Sequence, residues 1–270
     1  MELCSLCREI QLQPRIESRV LAFAAAFDFT TVAKQMEDFR DYGKMSEALA
    51  SLQTILGADP GGIKILSCML QASANIHGVY QLKGVSDKIY LETMKCYRRF
   101  IDETCQMTGK LYFDRYWWTT RQAGGHLFRI GELEYEMKHI DERIVIGIHI
   151  PSDADFAPEA VDRSLAGARR FFAKHYPELS DAEYRCHSWL LDRQLREMLN
   201  EDSNILSFQD RFEIFDEGEN SAEVMEWVFK TKSTEHFTVD LPENTLLQKN
   251  LKKHLLSGGG IRNAYGRINK

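Results

Sequence analysis

Glu132, Glu134 and Glu136 alternate along LFRIGELEYEM, residues 127–137. If this segment is a strand, the three carboxylates share one face, because alternate strand residues point the same way. Such a row can supply a general base, since an amine is protonated at neutral pH and attacks a carbonyl only after losing that proton. Alternation is also how an antiparallel strand turns one face to water, so a solvated strand face stands beside the catalytic reading. Glu134, nearest the strand centre, is the carboxylate expected to act if one does. His149 ends the next apolar run, RIVIGIHIP (143–151). An imidazole can serve as base or hydrogen-bond a carbonyl; capping the following loop is the structural alternative. His187 and Ser188 lie in RCHSWLL (185–191), read as a further short strand. Strand ends from both halves of an open sheet line its ligand crevice, so His149 and His187 are expected to approach each other. Cys186 and His187 are strand neighbours and point to opposite faces, which argues against a Cys-His nucleophile.

The stretch HIPSDADFAPEAVDRSLAGARRFF (149–172) reads as strand end, loop and helix start, the arrangement in which helix N-termini hold phosphates. Its loop has no glycine and carries Asp153 and Asp155, with Glu159 just inside the helix. Like charges beside a phosphate oppose binding. Arg163, Arg169 and Arg170 follow; they can bind phosphate, although pairing with acids on the helix surface is the preferred reading. Cys4-x-x-Cys7 has metal-like spacing but no second pair, and Leu3, Leu6, Cys7 and Ile10 form an apolar stripe, so packing and no metal is expected. Ser257-Gly-Gly-Gly260 follows a helix, where a C-cap and flexible turn fits better than a phosphate loop.

The elements that must position these residues fall into two regions. Up to about residue 110 the apolar spacing is helical throughout: Ile16, Val20, Phe23, Ala24 and Phe27 after Pro14; Ala48, Leu49, Leu52, Ile55 and Leu56 before Gly57; a long apolar helix from Ile63; and a helix N-capped by Ser86. DRYWWTTRQ (114–122), rich in aromatics and threonine, predicts a strand. With LFRIGELEYEM and RIVIGIHIP it makes three sequential antiparallel strands. A helix from Pro158, a strand at RCHSWLL, a helical DRQLREMLN, a strand over 204–216, an unassigned segment 222–230, a helix over 242–256 and a last strand at IRNAYGRI complete the chain. A helix linking two strands of one sheet favours a parallel crossover. The fold class is therefore α/β (α+β), with a helical domain over 1–111 and a mixed-sheet domain over 112–270.

Composition sets outer limits. The chain has 270 residues, 44% hydrophobic and 27% charged, as soluble globular proteins have. Its net charge of −6 offers no basic face to nucleic acid. The apolar run 20–27 falls short of the roughly 20 residues of a membrane span, and MELCSLCREI has no signal-peptide pattern. Six cysteines without framework spacing read as reduced thiols, so a cytoplasmic location without membrane partners is expected.

FRIGELEYEM, IHIPSDADFAPEAVDRSLAGARRFF, YRCHSWLLD, LREMLNEDSNILSFQDRFEI and LPENTLLQKNLKKHLLSGG together resemble the GNAT-like C-terminal domain of a family of bacterial acyltransferases. The first 110 residues resemble that family's helical N-acyltransferase N-terminal domain. The resemblance implies that acetyl-CoA or a longer acyl-CoA lies along strand 143–150, with its pyrophosphate at the turn 151–158. Ile148, Ile150, Ser152 and Arg163 are then the expected cofactor contacts.

The leading expectation is acyl transfer from acyl-CoA to a small-molecule amine or hydroxyl acceptor by direct attack. Glu134 or His149 would act as base, His187 would stand nearby, and strand backbone groups would stabilise the thioester carbonyl. The acidic turn favours the alternative of a non-catalytic ligand-binding or interaction module on a GNAT-derived scaffold. A hydrolase using the histidines is a third reading.

Overall fold

The structure is a computed structural model and describes residues 1–231 and 240–268. A helical region comes first: α1 (Leu3–Glu9), α2 (Pro14–Ala26), α3 (Ala33–Asp38), α4 (Met45–Leu56), α5 (Ile63–Leu82), α6 (Asp87–Met94), α7 (Cys96–Thr108) and α8 (Tyr116–Gly124). The boundaries follow local chemistry. Pro14 opens α2 at a position that needs no N–H donor. Gly57, at φ 61, ends α4, and Ser86 caps α6 by accepting the Ile89 N–H. The long helix α5 is buried along most of its length, with α1, α2, α4 and α8 packed around it. In α1, Leu3, Leu6 and Cys7 are buried, and burial pushes the Cys7 thiol up to about 12.

The predicted strand at DRYWWTTRQ is instead the helix α8. Its aromatics and threonines favour strands, but Thr119, Thr120, Gln122 and Ala123 bury one helical face against α4 and α5. Packing thus overrides a weak preference, and Gly125, at φ 77, ends the helix. Three sequential antiparallel strands do follow, because LFRIGELEYEM breaks in two. They are β1 (Leu127–Ile130), β2 (Leu133–Ile140) and β3 (Arg143–His149). Gly131 makes the break. It sits at φ 66, and a Cβ there would lie 3.1 Å from Ser164 Cβ.

α9 (Pro158–His175) crosses back to β4 (Tyr184–Ser188), which pairs parallel with β3. DRQLREMLN forms a short 3₁₀ turn over Arg193–Glu197 rather than a regular helix. The predicted strand 204–216 divides into α10 (Asn204–Gln209) and β5 (Phe212–Asn220). Buried Gln209 fixes the helical part by donating to the carbonyls of Leu190 and Asp192. Segment 222–230 is the helix α11 (Glu223–Phe229); α12 (Leu246–Leu256) and β6 (Arg262–Ile268) end the fold. The mixed sheet has the order β1-β2-β3-β4-β6-β5, and all its pairs except β3–β4 are antiparallel. The fold is thus helical first and mixed-sheet second.

The two faces of the sheet differ. Tyr135, Ile146, Ile148, Tyr184 and Cys186 face α9, where Ala168, Phe171 and Phe172 are buried with them. Glu134, Glu136, Gly147, His149, Arg185 and His187 share the opposite face by register. The helical region covers the β2 and β3 part of that face, and one core runs continuously from α1 to β6. A second core gathers Trp189, Leu195, Met225, Phe229, Leu251 and Leu255. Ile150 and Phe156 pack against both. Among the described residues, no helix is long and apolar enough to cross a membrane.

Candidate active site

The glutamate row does not face water. Glu132 lies in the β1–β2 turn, whereas Glu134 and Glu136 are 2% and 1% exposed beneath the helical region. An ionised carboxylate is buried at this depth only with partners, and each has them. Glu134 accepts a hydrogen bond from Arg99 Nη2 at 2.7 Å. Glu136 accepts three: Tyr42 Oη at 2.9 Å, Arg121 Nε at 2.9 Å and His149 Nε2 at 2.7 Å. Burial alone would raise the Glu136 pKa. The hydrogen bond and charge of His149, the charge of Arg121 and the Tyr42 hydroxyl outweigh it and hold the group down to about 2.

Glu136 and His149 are not cross-strand partners. Glu136 pairs with Gly147, and His149 pairs with Glu134. The imidazole reaches back diagonally over Gly147, where a Cβ would stand 3.4 Å from Nε2. A Cβ there would just touch the ring, and a larger side chain would occupy its path. A carboxylate is acceptor-only, so Nε2 donates in this bond, and in the neutral ring Nδ1 is then the lone-pair acceptor. Trp118 meets the imidazole edge-on, centroids 4.8 Å apart, and Arg121 lies 4.4 Å over the Trp118 ring. Trp118 and Arg121 are three residues apart on α8 and so share one helical face.

His187 comes onto the same face one strand over. It stacks on Tyr265 with centroids 4.0 Å apart and planes 16° from parallel. Burial, then the charges of Lys138 and His149, push its pKa below the usual value. Among the described residues, the rings of His149 and His187 make no contact with each other. Cys186 points the other way into the core, and burial raises its thiol to about 12.

The turn 151–157 resolves its own charges. Asp153 accepts from Arg129 Nη1 at 2.6 Å and lies 3.6 Å from Arg99 Nη1. Burial would raise its pKa, but Arg129 and then Arg99 pull it below the ordinary value. Asp155 accepts the Ala157 N–H, and its own N–H goes to Glu132. Ser152 donates to Glu103, turning towards the helical region. Arg99 and Arg129 thus offset the charge of Asp153.

The parallel pairing of β3 and β4 ends at Ile148–Cys186, so beyond it the two strands part. Ile148 is buried against α9 and offers only backbone there; Ile150 is half-buried. Arg163, Arg169 and Arg170 are exposed on α9 and, among the described residues, make no ion pair, contrary to the preferred reading. For a bound acyl-CoA, the parted strand ends and the start of the long helix α9 fit the body of the molecule, and Arg163 stands one turn into that helix. The glycine turn is absent. Beside the site lies a cleft of about 370 Å³ lined by Asp114, Arg115, Trp117, Glu223, Glu226 and their neighbours. Trp117 is 50% exposed in it, and Arg115 pairs with Glu226. Glu223 is close enough to His149 to feel its charge.

Sequence reading placed Glu136 in the carboxylate row but favoured Glu134, and it did not name the helical-region partners Tyr42, Arg99 and Arg121. The one local signal was Gly147, a lone glycine inside an apolar strand, which marks close approach by another group.

Residues 1–125 match the N-acyltransferase N-terminal domain, and residues 127–268 match the GNAT-like C-terminal domain. Among curated proteins, no sequence matches the chain. Solved structures give likenesses of fold. An acyltransferase in complex with decanoyl-CoA and teicoplanin aligns with TM-score 0.80 and 22% identity over 98% of this chain and 86% of that one. An acyltransferase in complex with CoA and 10C-teicoplanin aligns with TM-score 0.78 and 22% identity, over the same shares of both chains. With more than half its length matched by the second domain, the chain belongs to the family of GNAT-like C-terminal domain proteins.

Proposed function

We propose that the chain transfers an acyl group from acyl-CoA directly to an amine, with His149 as general base and Glu136 as the residue that orients it. The observation that carries this reading is the Glu136–His149 hydrogen bond of 2.7 Å, next to where β3 and β4 part. Nδ1 of His149 takes the proton of the acceptor nitrogen as it attacks, and Glu136 stabilises the imidazolium that forms. Acyl-CoA supplies the thioester: the N–C bond forms, the C–S bond breaks, and the proton held by His149 returns to the thiolate. Glu134, the carboxylate favoured from sequence, is committed to Arg99 and serves better as an anchor for that guanidinium. Ile148 and Ile150 would hold the cofactor through backbone groups. Ser152 and Arg163 are the side chains nearest the turn and the first helical turns of α9. The cleft bearing Glu223 and Glu226 attracts an acceptor that arrives as an ammonium ion; that ion gives its first proton to solvent before attack, and His149 takes the second as the N–C bond forms. Six cysteines, all unpaired, suit a reducing compartment such as the bacterial cytoplasm.

The test is a thermal-shift titration with acetyl-CoA and decanoyl-CoA, followed by product analysis with a panel of amines. Binding to the native state raises the melting temperature in a concentration-dependent way. Absence of any shift at millimolar acyl-CoA overturns the reading. A shift without amine-dependent CoA release supports the non-catalytic alternative instead.

A further inference from the structure

The turn between β3 and α9 is tied down on one side only. Three of its residues reach outward. The Ser152 hydroxyl donates to Glu103 on α7. Asp153 accepts from Arg129 Nη1 on β1 at 2.6 Å and lies 3.6 Å from Arg99 Nη1 on α7. The Asp155 N–H donates to Glu132, in the β1–β2 turn, at 2.9 Å. All three ties run towards β1 and the helical region. Among the described residues, no hydrogen bond runs from 151–157 to β4, and the β3–β4 pairs stop at Ile148–Cys186. The two guanidiniums are themselves anchored: Arg129 Nε donates to the Gly131 carbonyl, Arg99 Nη2 donates to Glu134, and their side chains are 10% and 11% exposed. The Asp153 side chain is 57% exposed, so it is the movable end of the pair.

We propose that Arg129, with Arg99 beside it, is a positioning residue for acyl-CoA: by gripping Asp153 it draws the turn 151–157 away from β4 and holds open the gap between the parted strands that admits the cofactor. The inference rests on the proposed use of acyl-CoA and deepens it. α9 starts without a side-chain cap, so its first N–H groups can meet phosphate oxygens. The strap fixes where those groups stand, in a turn that has no glycine to shape it. Asp153 is then the handle of the turn rather than a charge set against the phosphates. The two roles differ in sign. An acid that merely repels phosphate would, once removed, let CoA bind more tightly. A handle, once removed, releases the turn, and the cost of ordering it is taken from the binding free energy, so CoA binds more weakly.

The test is calorimetric titration of CoA into the wild-type protein, Asp153→Ala, Asp153→Asn, Arg129→Met and the double variant, with melting curves of each unliganded protein. Asp153→Ala should raise Kd about tenfold, the scale of one charge-assisted hydrogen bond. Asp153→Asn keeps an acceptor for Arg129 and should lose less. Arg129→Met should weaken CoA at least as much as Asp153→Ala, since it also frees the acid, and adding Asp153→Ala to it should cause no further loss. Unchanged or tighter CoA binding by Asp153→Ala overturns the strap and leaves acyl transfer standing. If Asp153→Ala melts well below the wild type, the double variant decides: a further loss of affinity beyond Arg129→Met overturns the strap, and none supports it. A wild-type protein that binds CoA but acylates no amine loses the acyl-transfer reading, while the same Kd values still decide the strap. Absence of CoA binding to the wild type at millimolar concentration overturns both.

Discussion

His149 is bound to Glu136, not to Glu134, its partner in the sheet register: Nε2 and Oε2 are 2.7 Å apart across the bare backbone of Gly147. The diagonal makes Nε2 the donor, so that in the neutral ring Nδ1 is the nitrogen free to receive a proton.

His149→Ala should lower kcat for amine acylation by roughly 10²–10⁴, the usual contribution of a positioned general base. Glu136→Gln should lower it less, because the base remains but loses its orienting charge. Melting curves with acyl-CoA separate this from loss of binding. Normal turnover in His149→Ala would refute the assignment.

Gly147→Val should cost at least about tenfold in kcat, while Gly147→Ala costs less. A Cβ at this position reaches van der Waals contact with Nε2, 3.4 Å away, and with Glu136 Cβ, 3.7 Å away; the added methyls of valine then occupy the path of the ring. Valine favours strands, so denaturation midpoints should change little. Parallel loss of stability and activity would point to the fold instead.

Stability should carry an acid-side signature of Glu136. Its native pKa of about 2 lies below the ordinary 4.5. Between those values the unfolded chain binds a proton that the native chain does not, so stability falls as pH falls through that window and is fully present above it. Urea midpoints of the wild type and Glu136→Gln should therefore converge from pH 4.5 downward. A constant gap would mean that the carboxylate is not held down.

Arg99→Met should destabilise the protein by about 3–5 kcal/mol, because it strands a buried carboxylate. Glu134 is 2% exposed and Glu103 8% exposed, and both lie against that guanidinium. Adding Glu134→Gln to Arg99→Met should recover part of the loss in a double-mutant cycle. Strict additivity would show that the pair is not coupled.

Most of the sheet and helix order was legible because it rests on periodicity and caps: Pro14, Gly57, Ser86 and Pro158 mark their helices whatever packs on them. α8 was not legible, since its aromatic and threonine residues favour the strand that α4 and α5 prevent. The site was half legible. His149 stands out at a strand end, but alternation alone cannot say whether Glu134 and Glu136 meet water or a second layer. That layer is a helical region whose Tyr42 and Arg99 lie 94 and 35 residues from their glutamates, beyond any local pattern.

The continuous core and the split origin of the Glu136 site bear on how this protein can be divided. Tyr42 and Arg121 come from the first half and Glu136 and His149 from the second, so neither half carries the complete hydrogen-bonded cluster. A chimera joining the first half of one family member to the second half of another inherits a buried anion whose cations belong to a different lineage. Functional exchange between relatives therefore requires Tyr42, Arg99 and Arg121 to travel with Glu134 and Glu136, which makes the seam between the halves the part least free to recombine.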